Sequence, residues 1–134
     1  IGNVDRSARN TNMLLWQDKL WLIDHGAALF FHYTADWLAT TAARSQSPFA
    51  PIKDHVLLRW AGDLVAADAA QRGLLNAQVI GQAVAAVPDA WLNGRDAAAP
   101  AAVQRAAYVD YLLRRLDASQ IFVQEAIRAR QALL

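Results

Sequence analysis

The apolar residues of this chain change their spacing at about residue 35. Before that point, Met13-Leu14-Leu15-Trp16 and Leu20-Trp21-Leu22-Ile23 form two short apolar runs, parted by the polar stretch Gln17-Asp18-Lys19. Two such runs around a three-residue polar break predict a β-hairpin. The second run ends at Asp24-His25-Gly26, where glycine releases the backbone from the strand. Ala27 to Phe31 reads as a third short strand or as buried coil. Beyond residue 35, apolar positions recur at helical intervals and the breaks carry capping residues. Asp36 opens a helix running through Ala43, and the Pro- and Ser-rich stretch 45–51 is loop. Val56 to Trp60 is a short apolar segment. Asp63 and Asn76 cap two further helices, and the second stops by Pro88. Trp91 to Gly94 is a turn. Pro100 opens a long helix, and Asp117 or Ser119 caps the last one. The expected fold is mainly α with a small β-hairpin. It forms one unit over 1–134, with loop and hairpin at 1–33 and a helical body at 34–134.

Composition narrows the function classes. The 134 residues are 55% hydrophobic and 19% charged, which suits a chain that buries a core. Thirteen Lys and Arg stand against twelve Asp and Glu. That balance gives no reason to expect nucleic acid or a membrane surface as partner. The absence of Cys excludes disulfides, thiol catalysis and Cys-ligated metal sites. No apolar stretch of about 18 residues or more is free of charges or turn signals, so no membrane span is expected. The chain opens on Ile rather than Met and carries no signal-peptide pattern, so it reads as a fragment.

The polar loop and the hairpin together carry the chemistry. Asp5 and Asn10 lie five residues apart in one loop. A hairpin returns its second strand to the start of its first, which sets Asp24 beside that loop. Two carboxylates and an amide oxygen around one small space suit a hard cation such as Mg²⁺, with phosphate oxygens completing its shell. Phosphoryl transfer also needs an acid group to orient or deprotonate the attacking hydroxyl.

Asp5-Arg6-Ser7-Ala8-Arg9-Asn10 resembles the catalytic loop of protein-kinase-like enzymes, and Ile23-Asp24-His25-Gly26 resembles their metal-binding segment. The stretch is most similar to the C-terminal lobe of bacterial HipA-like kinases, related to type II phosphatidylinositol 4-kinases, and covers about residues 3–31. The resemblance implies that Asp5 positions the acceptor hydroxyl and takes its proton. It implies that Asn10 and Asp24 hold Mg²⁺ or Mn²⁺ with ATP, and that Arg6 neutralises phosphate charge or braces the loop. Asn12 and His25 are candidates for loop or nucleotide contacts. His25 stands where protein kinases have Phe, so no packing switch of that kind carries over. The implied activity is transfer of the ATP γ-phosphoryl to a hydroxyl of a protein Ser or Thr, a small molecule or a lipid headgroup, with protein favoured, in the bacterial cytoplasm. The chain departs from the family in one large respect. It has no Gly-rich loop, and neither Lys19 nor Lys53 follows a suitable strand. The N-terminal lobe is thus expected elsewhere in the parent chain, and the fragment alone is expected to be inactive. The alternative is a non-catalytic helical interaction module or a pseudokinase remnant. A metal-dependent hydrolase built on Asp54-His55 is a third reading.

The remaining conspicuous residues have plainer readings. His25, His32 and His55 match no zinc spacing and read as hydrogen-bonded, partly buried histidines. Trp16, Trp21, Trp37, Trp60 and Trp91 read as core and rim packing rather than a base-stacking surface. Arg114, Arg115, Arg128 and Arg130 read as a solvated basic face. Ser7 has no His and Asp partners in the local sequence, so a nucleophilic role has little support.

Overall fold

A computed structural model describes residues 2–93 and 99–134. Two strands, β1 (Met13–Trp16) and β2 (Lys19–Leu22), pair antiparallel, with Met13 opposite Leu22 and Trp16 opposite Lys19. The connection is two residues, one fewer than the polar break suggested, because Lys19 belongs to the ladder. Gln17 and Asp18 both adopt positive φ, 49° and 55°. That pairing of left-handed residues matches the right-handed twist of the strands they join.

Among the described residues six helices follow: α1 (Trp37–Ser45), α2 (Leu64–Leu74), α3 (Ala77–Ala85), the single turn α4 (Asp89–Leu92), α5 (Ala101–Asp117) and α6 (Ser119–Gln131). Short 3₁₀ turns occupy Phe30–Tyr33, Ala50–Asp54 and Leu58–Trp60. Ala27 to Phe31 is therefore turn and helix, not a third strand. Part of the expected 45–51 loop is ordered as well, since Ser45 ends α1 and Ala50 starts a 3₁₀ turn.

Local chemistry explains where the helices begin. The Asp63 carboxylate accepts from the Val65 and Ala66 amides at 2.9 Å, and the Asn76 side-chain oxygen accepts from Val79 N at 3.0 Å. Asp36 occupies its expected place before α1 without a side-chain capping bond. The last helix departs from expectation. Its N-cap is Ala118, and the Ser119 hydroxyl instead donates to Asp68 Oδ2 at 3.0 Å. Buried between helices, that hydroxyl serves tertiary contact rather than capping. Gly94 of the expected turn, and residues 97 and 98 of the alanine-rich run before α5, lie outside the described residues.

α5 packs against α1 and α3, and α6 packs against α2 and the Ala50–Asp54 turn. One cluster centres on Phe31, Trp37 and Tyr111, with the Phe31 and Tyr111 rings 4.5 Å apart between centroids. Trp37 also stacks on Tyr108 at 4.7 Å. The second cluster is Leu58, Ala126 and Ala129, with Ile52 and Leu64 against it. Of the five tryptophans only Trp37 is buried; Trp16, Trp21, Trp60 and Trp91 are exposed. Core packing therefore explains one of the five.

The hairpin has no core of its own. Register puts Met13, Leu15, Leu20 and Leu22 on one face and Leu14, Trp16 and Trp21 with Lys19 on the other. Both faces are apolar, yet every residue from Leu14 to Gly26 is exposed.

Candidate functional site

Arg6 joins the loop to the hairpin. It is only 6% exposed, and its guanidinium is surrounded by backbone. Nη1 donates to the carbonyls of Thr11 (3.3 Å), Asn12 and Ile23 (2.9 Å). Nη2 lies 3.3 Å from His25 Nδ1. Five N–H donors in a rigid fork allow one side chain to bind carbonyls on both sides of a junction. The strand end is held a second time by Ile23 N donating to Asn12 O at 2.9 Å. Of the two roles open to Arg6, bracing the loop is the one its contacts perform.

The loop is also anchored to the helical body. Val56 N donates to Arg6 O at 2.8 Å, and Ser7 forms an antiparallel bridge with His55. His55 Nδ1 accepts from Leu57 N at 3.1 Å. Burial first, and the Arg6 charge second, lower its pKa below the ordinary histidine value.

The candidate oxygen ligands lie around this brace. Asp5 is half-buried; its amide donates to Asn3 Oδ1 at 2.9 Å, and its carboxylate has no hydrogen bond among the described residues. Asn10 is exposed, and its amide donates to Ser7 O at 3.2 Å. Asp24 is exposed at φ 46°, and its Oδ1 accepts from Gly26 N at 3.3 Å. Left-handed geometry is costly for most side chains but tolerated by Asp, whose short carboxylate bonds its own backbone. Asn12 also has positive φ, 45°, and its buried Nδ2 has no acceptor among the described residues. Arg6 thus brings together the residues flanking Asp5, Asn12 and Asp24. Asn10 lies in the same loop, one residue before Thr11, whose carbonyl Arg6 binds.

The donor set suits a hard ion. Two carboxylates and an amide offer oxygen only, as Mg²⁺ prefers. Among the described residues no three His, Cys, Asp or Glu side chains gather to hold a metal, so the Asp54-His55 hydrolase reading finds no third ligand. The histidines are hydrogen-bonded as expected: His32 Nδ1 lies 3.2 Å from Tyr108 Oη, although His25 is exposed rather than partly buried.

Sequence reasoning misplaced Arg115. Expected on a solvated face, it is 6% exposed and lies over the Phe122 ring at 4.5 Å. Its Nη1 donates to the carbonyls of Ser45 (3.1 Å) and Ser47. The mixed pattern of α5, where Tyr111 and Arg115 share the buried side at i and i+4, was the available signal. No family model, curated protein or solved structure matches this chain.

Proposed function

We propose that this chain is the catalytic C-terminal lobe of an ATP-dependent phosphotransferase of the HipA-like kind, acting on a hydroxyl of a protein Ser or Thr. The observation that supports this most is the Arg6 brace, which ties the loop bearing Asp5 to the strand end bearing Asp24. A site for phosphoryl transfer depends on positioning, and a buried guanidinium bound to three carbonyls gives a fixed junction.

In this reading Asp24 and Asn10 would hold Mg²⁺ or Mn²⁺, which supplies charge neutralisation at the nucleotide phosphates. Asp5 orients the acceptor hydroxyl and accepts its proton as the oxygen attacks the γ-phosphorus and ADP departs. Among the described residues no donor bonds the Asp5 carboxylate, which suits that task. Arg6 acts as a positioning residue and does not touch phosphate. Nucleotide affinity also requires an N-terminal lobe from the parent chain, because this sequence holds no Gly-rich loop or strand lysine. The hairpin, apolar on both faces, suits burial beneath such a lobe.

The same hairpin supports a second reading, in which the chain is a helical interaction module without turnover. Leu15 at 76% exposure and Trp16 at 63% stand on opposite faces, each an apolar surface of the kind that partners cover. Calorimetric titration of Mg²⁺–ATP into the full-length parent, with Asp24→Asn beside it, separates the two. Binding that requires both the ion and Asp24 is expected for the phosphotransferase. A folded parent that binds no nucleotide leaves the interaction module.

A further inference from the structure

A cavity among the described residues lies between α2, α6, the Ala50–Asp54 turn and the loop that carries Arg6, with Gly2, Asn3 and Leu22 also on its wall. Its volume is about 520 Å³, within the range of small-molecule sites. Most of the wall is apolar: Phe49, Ile52, Leu64, Leu75, Phe122 and Val123 contribute to it.

The charged groups in that wall are unbalanced. Arg6, Arg72 and Arg115 line it against a single carboxylate, Asp68. Asp68 is already engaged, accepting from Ser119 Oγ at 3.0 Å and Gln120 Nε2 at 3.5 Å. His55, kept toward its neutral form by burial, adds little positive charge. Arg115 is buried without a carboxylate partner among the described residues. Its bonds go to carbonyls and a ring, and its Nε–H has no acceptor. A buried cation left uncompensated is costly, so an anion entering beside it gains more than it would in water. Arg72, exposed and bonded to Ser119 Oγ at 3.2 Å, brings a second guanidinium to the α5–α6 junction.

We infer that this cavity binds an amphipathic monoanion, a medium-chain alkyl carboxylate, with its chain among the apolar residues and its head toward Arg115 and Arg72. The shape excludes a strongly hydrophilic ligand, since few polar groups face the space. The arginine excess selects anion over neutral or cationic amphiphile. The proposal does not rest on the phosphoryl-transfer reading, although Arg6 belongs both to this wall and to the brace.

The test is isothermal titration of the purified chain with sodium decanoate, decan-1-ol and decyltrimethylammonium. Decanoate is expected to bind one to one, at least tenfold more tightly than decan-1-ol, and the cation not at all. Octanoate should bind more weakly, by about fourfold per methylene removed. Arg115→Gln should weaken decanoate tenfold or more. Because Arg115 also holds the Ser45 and Ser47 carbonyls, the exposed Arg72→Gln serves as the second variant, with a loss of about threefold expected for a rim charge. Ala67→Trp, which fills the space without altering charge, should abolish binding and separates the cavity from the exposed hairpin. Absence of decanoate binding, equal affinity for decan-1-ol, or affinity unchanged by Ala67→Trp would each overturn the assignment.

Discussion

Phe31, Trp37 and Tyr111 bury their rings against one another at the core of the body, whereas in the hairpin every residue from Leu14 to Leu22 is exposed. The body is held by apolar contact between elements distant in sequence. The hairpin is held by its ladder, and its base is tied to the preceding loop by the Ile23–Asn12 backbone bond and by one arginine. Burial resists many small disturbances because it is spread over many atoms. A junction of hydrogen bonds centred on one side chain fails when that side chain is lost. The two regions should therefore respond differently to substitution, and the site depends on the more fragile one.

Trp37→Ala should have the largest effect, removing a ring packed on Phe31 and stacked on Tyr108. About 3–5 kcal/mol of stability is expected to go, with unfolding of the whole body seen by circular dichroism in urea. Arg6→Met comes next and should act locally. Each carbonyl left unpaired at the junction costs about 1–3 kcal/mol where it stays buried. Faster amide exchange confined to about residues 5–26, with helical signal intact, is the expected pattern. If exchange instead accelerates throughout α5 and α6, the two regions are not separable as described.

Asp63→Ala removes the cap of α2 and should cost about 1 kcal/mol, read from the urea midpoint. Trp16→Ser should leave the midpoint of the isolated chain within about 0.5 kcal/mol while reducing self-association on a sizing column. A large loss of stability from Trp16→Ser would show that the hairpin packs on the body after all.

The smallest effect concerns pH. The folded-state pKa of His55 lies below its unfolded value, so the unfolded chain binds the proton more readily. The contribution is fully present above the unfolded value of about 6.5 and is lost as pH falls through the lower folded pKa. His55→Asn should flatten that part of the stability profile, measured by urea unfolding at a series of pH values.

Much of the local architecture was legible from residue pattern alone. The hairpin, the Asp63 and Asn76 caps and the long helix after Pro100 all depend on bonds or spacings within a few residues. The hairpin connection was misjudged by one residue because Lys19, though polar, pairs in the ladder. Asp24 could be set near the loop because a hairpin must return on itself. Its left-handed backbone and the free carboxylate of Asp5 could not be read this way, since both depend on how the loop closes.

The chain's own order of residues determined the hairpin, the capped and Pro-led helices and the oxygen-only character of the candidate ligands. These follow from local backbone preference and from side-chain chemistry, which act over a turn or a strand pair. Tertiary structure alone decided which charged and aromatic groups are buried. Arg6 reaches Ile23 across 17 residues, Ser119 reaches Asp68 across 51, and Arg115 reaches Ser45 across 70. An arginine is spelled the same way whether it faces water or three carbonyls. The difference is made by which backbone carbonyls and rings are folded against it, and that is a property of packing between elements.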